Sequence, residues 1–292
     1  MKAVSKEAYA KINLYLKVAN KRSDGYHNIA SIMQQIDLSD TVTVSVSKGD
    51  GSIDITCTDP EVPCDGTNIA ARCARAFLGR LGKNDVSVRI GIFKRIPVSG
   101  GLAGGSSDGA AVLSALNEIT GNPFAGNDLK AIGAGIGADI PFCLTGGTCE
   151  CYGIGDSISE INTYAVPSYS VLLVSPGGSV STPDAYRMID EYILTRPKYE
   201  GTIPDILDDI YDGKIPCRYL QNDFENVILP TRPDIAGLKR ELLDTGAAAA
   251  MMSGSGPTLF GIFRRHGDAA AASEKLKEKG IRSWVCKPVL KF

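Results

Sequence analysis

Residues 97–107 read Pro97-Val98-Ser99-Gly100-Gly101-Leu102-Ala103-Gly104-Gly105-Ser106-Ser107. An alternating apolar stretch precedes this segment and an apolar stripe of helical spacing follows it, so it is predicted to be a loop between a strand and a helix. Glycines let the backbone approach an anion and adopt positive φ without strain. The start of the helix adds unpaired N–H groups and the positive end of the helix dipole. The segment therefore predicts a phosphate-binding loop.

Two familiar phosphate-binding motifs do not describe this loop. It contains no G-x-x-x-x-G-K-[ST], which excludes a P-loop, and Leu102 interrupts the G-x-G-x-x-G spacing of a dinucleotide-binding fold. A glycine-rich turn before a capped helix is the alternative interpretation. Ser106 and Ser107 could cap that helix, or they could donate hydroxyls to phosphate oxygens or to a magnesium shell.

The pattern outside the loop predicts an α+β protein. Strands are predicted at 8–18, where the strand should be half-buried, and at 38–46, 53–57, 86–93, 171–174 and 281–286, and residues 258–263 form an apolar run. Helices are predicted at 67–81, from the loop to 119, and at 127–136, 182–195, 233–243 and 268–279. The turn at 48–51 predicts a hairpin between the second and third strands. The absence of a βαβ rhythm favours two lobes, with domains at 1–160 and 161–292.

Composition limits the kind of protein. The 292 residues are 43% hydrophobic and 22% charged, with a formal net charge of −2, which is typical of an ordered globular protein that needs no basic face. Nucleic acid is therefore a poor candidate partner. There is no signal-peptide pattern, and no stretch approaches the roughly 18 apolar residues of a membrane span. We therefore expect a cytoplasmic protein, with its eight scattered cysteines reduced.

Two candidate reacting groups lie far apart in the sequence. Lys11 and Asn13 project from one face of the first predicted strand, about 7 Å apart, although a solvated edge lysine is the alternative. Asp139 precedes an apolar run, and its alternative role is a turn or a helix cap. Phosphoryl transfer to a hydroxyl needs alignment, charge neutralisation and often a carboxylate that accepts the proton. Lys11 and Asp139 supply such groups, but their spacing does not show that they meet.

Several segments resemble motifs of the GHMP small-molecule kinases. They are residues 97–111 for the second motif, Met252-Ser253-Gly254-Ser255-Gly256-Pro257-Thr258 for the third and 137–142 for an acidic motif. Residues 10–14 and 22–27 narrow the resemblance to family members that act on a cytidine diphosphate-linked methylerythritol. The match runs from about residue 8 to residue 263. It implies a two-lobed fold with an N-terminal nucleotide-binding lobe and a C-terminal ferredoxin-like lobe.

The resemblance also implies roles for individual residues. Lys11 and Asp139 match the catalytic pair, with Asp139 as the base toward the substrate hydroxyl, and residues 97–107 match the ATP phosphate loop. Five residues match substrate contacts: Asn13, Tyr26, His27, Thr182 and Tyr186. Tyr26 and His27 would grip the cytosine by stacking and hydrogen bonding, with Tyr186 as a second aromatic. As alternatives, Tyr26 and His27 flank the turn dipeptide Asp24-Gly25, and a helical tyrosine is more often core.

The activity that the resemblance implies is transfer of the γ-phosphoryl group of ATP to the 2-hydroxyl of the cytidine-linked methylerythritol of the non-mevalonate isoprenoid pathway. Mg²⁺ would neutralise the phosphates, with unassigned protein ligands. Two alternatives stay open: a GHMP kinase for homoserine, mevalonate or a sugar, and a non-catalytic nucleotide-binding relative. Residues 24–27 argue against the first, and Lys11 with Asp139 against the second. Two departures from the family pattern are Ala103 in place of glycine and Gly109 in place of alanine.

Overall fold

The computed structural model describes residues 2–83, 85–161, 169–195, 203, 206–212 and 214–290. The chain divides into two compact units. The first comprises Met1–Ala10, Leu38–Val98 and Ala103–Thr145, and the second comprises Lys11–Asp37, Ser99–Leu102 and Gly146–Phe292. The strands β1 (Lys2–Lys21) and β2 (His27–Lys48) run through both units. Since neither unit is continuous in sequence, the domain boundary at residue 160 stays a prediction.

The first unit packs helices on a sheet. Its further elements are β3 (Ile53–Cys57), α1 (Ile69–Leu81), β4 (Val86–Phe93), α2 (Gly104–Ile119), α3 (Gly126–Ala134) and α4 (Ile140–Thr145). β4 pairs antiparallel with β2 and parallel with β3. The predicted hairpin between β2 and β3 is therefore wrong. The chain does reverse at 48–51, but α1 returns it as a parallel neighbour of β3, and β4 takes the place between the two strands.

Local sequence explains the helices of the first unit. The side chain of Asn68 accepts a hydrogen bond from the Ala70 N–H at 2.8 Å and caps α1. Phe77 of α1 is fully buried, a contribution of about 1.5–3 kcal/mol from burial alone. A Cβ at position 109 would stand 2.8 Å from Cys73 Sγ. The close packing of α1 on α2 therefore accounts for glycine at 109.

In the second unit, β1 and β2 continue in a sheet with β5 (Thr148–Tyr152), β6 (Ser157–Glu160) and β8 (Gln221–Asn222). β5 is antiparallel to β2, and β8 is parallel to β1. The expectation that β1 is half-buried is wrong for residues 11–16, which are buried on both faces. The face that carries Lys11 and Asn13 is covered because the loops at 99–102 and 253–256 hydrogen-bond to it.

A second sheet of this unit contains β7 (Ser170–Ser175), β9 (Ala249–Met252), β10 (Leu259–Phe263) and β11 (Arg282–Cys286), in the order β11-β7-β10-β9. All of its pairs are antiparallel. The helices described here are α5 (Thr182–Leu194), α6 (Ile206–Tyr211), α7 (Glu225–Ile228), α8 (Pro233–Asp244) and α9 (His266–Glu278). This order and connectivity are ferredoxin-like, which confirms the predicted fold class. Among the described residues, every helix is too short or too polar to cross a membrane.

Candidate active site

The glycine-rich loop has an unusual backbone. φ is +55° at Ser99, +74° at Gly101 and +58° at Ala103. Ala103 therefore adopts the left-handed conformation, in which a methyl side chain is tolerated at a cost of about 1–3 kcal/mol. At Gly101 a Cβ would stand 2.2 Å from the carbonyl oxygen of Ser253. This loop is held in a strained, fixed shape.

Helix α2 begins at Gly104, so residues 104–107, which were predicted to belong to the loop, form its first turn instead. The N–H groups of its first turn have no acceptor within the helix and carry the positive end of its dipole. Neither serine caps the helix: residue 103 holds the N-cap position without a side-chain hydrogen bond, and Ser107 Oγ donates to the Tyr9 carbonyl at 2.7 Å. The Oγ of Ser106 lies near Gly137, 3.6 Å from the point where a Cβ of that residue would stand. Its hydroxyl is thus close to the segment that carries Asp139.

A buried charge cluster lies behind the start of α2. Lys94 Nζ donates to Asp40 Oδ2 at 2.5 Å and to Asp108 Oδ2 at 3.0 Å. Burial lowers the pKa of Lys94, but the two carboxylates outweigh it and the pKa is raised. A Cβ at Gly104 would stand 3.1 Å from this amine. The sequence analysis did not find this cluster, because lysines and aspartates are usually surface residues.

Asp139 stands directly before α4. Its carbonyl accepts a hydrogen bond from Cys143 N–H at 3.0 Å, so its backbone begins that helix, and its side chain is half-buried. This contact uses the backbone carbonyl of Asp139 and not its carboxylate. The cap alternative and the catalytic role are therefore compatible.

Lys11 and Asn13 form a buried polar pair in the second unit. Lys11 is 4% exposed and Asn13 is 1% exposed. Lys11 Nζ donates to Asn13 Oδ1 at 2.8 Å, and Lys11 N–H donates to the Leu102 carbonyl at 3.1 Å. Asn13 Nδ2 donates to Ser31 Oγ at 2.9 Å. Burying a lysine is costly unless it is hydrogen-bonded, so the arrangement is typical of a functional site. The burial of Lys11 excludes the solvated-edge alternative.

The second glycine-rich segment, residues 253–256, packs on this pair and on the first loop. Gly254 N–H donates to Asn13 Oδ1 at 3.0 Å, and Ser253 Oγ donates to the Gly101 carbonyl at 3.0 Å. Thr182 at the start of α5 reaches the same segment, with its Oγ1 2.9 Å from Ser255 Oγ.

Asn222 of β8 stabilises the second glycine-rich segment through two hydrogen bonds. Its Nδ2 donates to the carbonyl oxygens of Met252 and Gly254, at 2.7 and 2.8 Å. The sequence gives no signal for this residue, since it lies in a strand of two residues.

The aromatic residues form a separate group in the second unit. Tyr26 is 61% exposed, at the end of a turn closed by a hydrogen bond from Arg22 N–H to its carbonyl at 2.7 Å. His27 is buried, and its ring stacks on Tyr186 with centroids 4.8 Å apart. Tyr186 also packs edge-on against Phe224. The group therefore presents the exposed ring of Tyr26 beside the buried imidazole of His27, which is fixed by its stacking on Tyr186.

Within the second unit, the structure joins Lys11, Asn13 and residues 99–102, and it joins His27 with Tyr186. The first unit brings Ser106 close to the segment that carries Asp139. Lys11 and Asp139 belong to different units, and their convergence on a substrate stays a prediction.

The donor atoms near α2 are suitable for a hard cation. Mg²⁺ favours oxygen ligands and usually keeps several waters while it bridges substrate phosphates. The hydroxyl of Ser106, at the start of the helix, is an oxygen of this kind. Among the described residues no group of three or more histidine, cysteine or acidic side chains could hold a metal.

The protein has a strained glycine loop at a helix start and a buried lysine–asparagine pair. Its fold is α+β with a ferredoxin-like sheet. These features are typical of an enzyme that binds phosphate groups. Two family descriptions match the chain: GHMP kinases N terminal domain at residues 68–147 and GHMP kinases C terminal at residues 212–282. The chain belongs to the GHMP kinases, which are ATP-dependent small-molecule kinases.

Individual relatives agree with this assignment. The chain is 39% identical over 277 residues to a 4-diphosphocytidyl-2-C-methyl-D-erythritol kinase of Clostridium kluyveri, covering 94% of this chain and 95% of the relative. It resembles the crystal structure of a 4-(cytidine 5'-diphospho)-2C-methyl-D-erythritol kinase with a TM-score of 0.79 at 30% identity, over 98% and 99% of the two chains. A homoserine kinase from Cytophaga hutchinsonii shares the fold, with a TM-score of 0.70 at 21% identity over 99% and 95%.

Proposed function

We propose that this kinase transfers the γ-phosphoryl group of ATP to the 2-hydroxyl of 4-(cytidine 5'-diphospho)-2-C-methyl-D-erythritol, a step of the non-mevalonate isoprenoid pathway. The observation that carries the proposal is the burial of Lys11 and Asn13 against both glycine-rich segments. The names and coverage of the relatives support the substrate. Cytoplasmic location and the lack of a nucleic-acid partner stay part of this proposal.

In the proposed mechanism residues 97–107 bind the phosphates of ATP. Backbone N–H groups at the start of α2 meet the phosphate oxygens, and the Lys11 ammonium stabilises charge on the moving phosphoryl group. Asn13, which accepts from Lys11 Nζ, orients that amine. When bound with ATP, Mg²⁺ would neutralise phosphate charge, and the hydroxyl of Ser106 is the protein oxygen that would help to hold it.

Asp139 is the proposed base. Its carboxylate takes the proton of the 2-hydroxyl as the alcohol oxygen bonds to the γ-phosphorus, and the bond from that phosphorus to the bridging oxygen of ADP breaks. The products are the phosphorylated substrate and ADP. Tyr26 stacks on the cytosine, His27 hydrogen-bonds its edge, Tyr186 supports the imidazole, and Thr182 contacts the substrate beside Ser255.

A turnover assay on the full chain tests the substrate. With ATP and Mg²⁺, we expect phosphorylation of the cytidine-linked methylerythritol and far slower turnover of homoserine and mevalonate, because those molecules have no pyrimidine for Tyr26 and His27 to grip. Faster turnover of homoserine or mevalonate would contradict the substrate assignment. ATP binding without turnover of any acceptor would instead favour a non-catalytic relative.

A further inference from the structure

His27 already uses one of its two ring nitrogens. Its Nε2 lies 2.6 Å from Oδ1 of Asp190, a residue of α5. One face of the ring stacks on Tyr186, with 18° between the planes, and the residue is 5% exposed. Contacts to a face and to an edge thus fix the orientation of the imidazole.

Asp190 is held in its ionised form. Lys21 Nζ donates to its Oδ2 at 2.5 Å. Burial raises the pKa of Asp190, but the hydrogen bonds from Lys21 and His27 and the positive charge of Lys21 outweigh burial and leave the pKa lowered. An ionised carboxylate only accepts hydrogen bonds, so the proton between it and the imidazole sits on Nε2.

We propose that Asp190 is a positioning residue that makes Nδ1 of His27 an acceptor for the amino group of cytosine, and so selects a cytidine-linked over a uridine-linked substrate. This inference rests on the proposed function. A neutral imidazole with its proton on Nε2 keeps a lone pair on Nδ1. The 4-amino group of cytosine can donate to that lone pair.

Uracil presents the opposite chemistry at the same position. Its carbonyl oxygen at C4 would face the Nδ1 lone pair with no hydrogen between them, and a buried polar atom left unpaired is penalised. A site that hydrogen-bonds one group of its substrate rejects an analogue that cannot form that hydrogen bond. Stacking on Tyr26 does not separate the two bases, because each presents a π-face, so the His27–Asp190 pair supplies the discrimination at C4.

The tautomer of His27 can be measured directly. The chain has only two histidines, and the other, His266, is exposed and serves as an internal reference. Nitrogen-15 NMR at a pH about two units above the ordinary histidine pKa of about 6.5 distinguishes protonated from unprotonated ring nitrogens. A His266→Asn variant assigns the signals. In the wild type we expect His27 to be protonated on Nε2 alone.

Asp190→Asn is the informative variant, because an amide can either accept from Nε2 or donate to it. We expect a mixture of His27 tautomers and a fall of about three- to tenfold in the ratio of kcat/KM for the cytidine-linked over the uridine-linked substrate, the value of one hydrogen bond. KM for ATP should be unchanged. Glu191→Gln, which removes the same charge from an exposed neighbour on α5, is the matched control and should change neither readout.

Two results would overturn the proposal. One is a wild-type His27 protonated on Nδ1, which needs no variant and is informative even if Asp190→Asn fails to fold. The other is full cytidine–uridine discrimination in a folded Asp190→Asn protein. A wild type that phosphorylates neither substrate would contradict the proposed function itself, and it is recognised before any variant is compared.

Discussion

Lys94, Asp40 and Asp108 show how much charge this protein buries near its phosphate loop. Asp40 is fully satisfied, since it also accepts from the N–H groups of Arg95 and Ile96 at 2.5 and 2.9 Å. Asp108 is not, because its Oδ1 is buried without a hydrogen-bond partner. One ammonium thus stabilises two carboxylates unequally, and Asp108 is the weaker member of the cluster.

The pH dependence of folding should report this inequality. Burial raises the pKa of Asp108 to about 7; the Lys94 charge opposes that rise and the Asp40 charge adds to it. Between about pH 4, near the ordinary aspartate pKa, and pH 7, the folded state binds more protons than the unfolded state, so this group lowers stability as the pH rises through that range. We expect Asp108→Asn to flatten the decrease, as measured by urea unfolding at several pH values.

Asp54→Asn is the control for the Asp108 experiment, since Asp54 is exposed on β3. It should leave the pH profile of unfolding close to that of the wild type. An Asp108→Asn protein with the wild-type profile between pH 4 and 7 would show that Asp108 is ionised throughout, against our expectation.

A series of hydrogen bonds through residues 253–256 connects β8 with Lys11. Asn222 fixes the Met252 and Gly254 carbonyls, Gly254 N–H holds Asn13, and Asn13 holds the Lys11 amine. Each link is a buried or partly buried hydrogen bond within the second unit. Loosening the first link should therefore affect catalysis as well as stability.

Asn222→Ala should lower the free energy of unfolding by about 1–3 kcal/mol, because two buried carbonyls lose their donor. We also expect kcat to fall by about tenfold or more, since Lys11 would lose its fixed orientation. Asn117→Ala is the matched control: Asn117 is also buried and donates to the Phe124 carbonyl at 3.0 Å, but in a helix end of the first unit. It should lose similar stability and keep turnover. Equal kcat in the two variants would contradict the proposed link.

Sequence reasoning succeeded where a structure is decided locally. The alternation at 86–93 and the helical spacing at 67–81 predicted β4 and α1 close to their observed bounds. It failed where distant segments decide the outcome: β4 separates β2 from β3, and two loops bury Lys11. Asn222 and Asp190 had no local signal because their importance lies in what they touch.

The residues to which the proposal gives roles come from both units: residues 99–102 of the phosphate loop belong to the second unit, and residues 97, 98 and 103–107 belong to the first. Lys11 belongs to the second unit and Asp139 to the first. The loop, the lysine and the acid were each predicted from a short segment with a recognisable pattern, and their action in one site stays a prediction. The proposed mechanism depends on Asp139 as the base that accepts the proton of the substrate hydroxyl.

Single-turnover transfer from γ-labelled ATP to the cytidine-linked substrate tests that role, comparing the wild type with Asp139→Asn and with Asp128→Asn, an exposed acid in α3. We predict that Asp139→Asn slows transfer by about 10²- to 10⁴-fold while ATP still binds, and that Asp128→Asn transfers as the wild type does. Transfer by a folded Asp139→Asn protein at the wild-type rate would contradict the proposed mechanism.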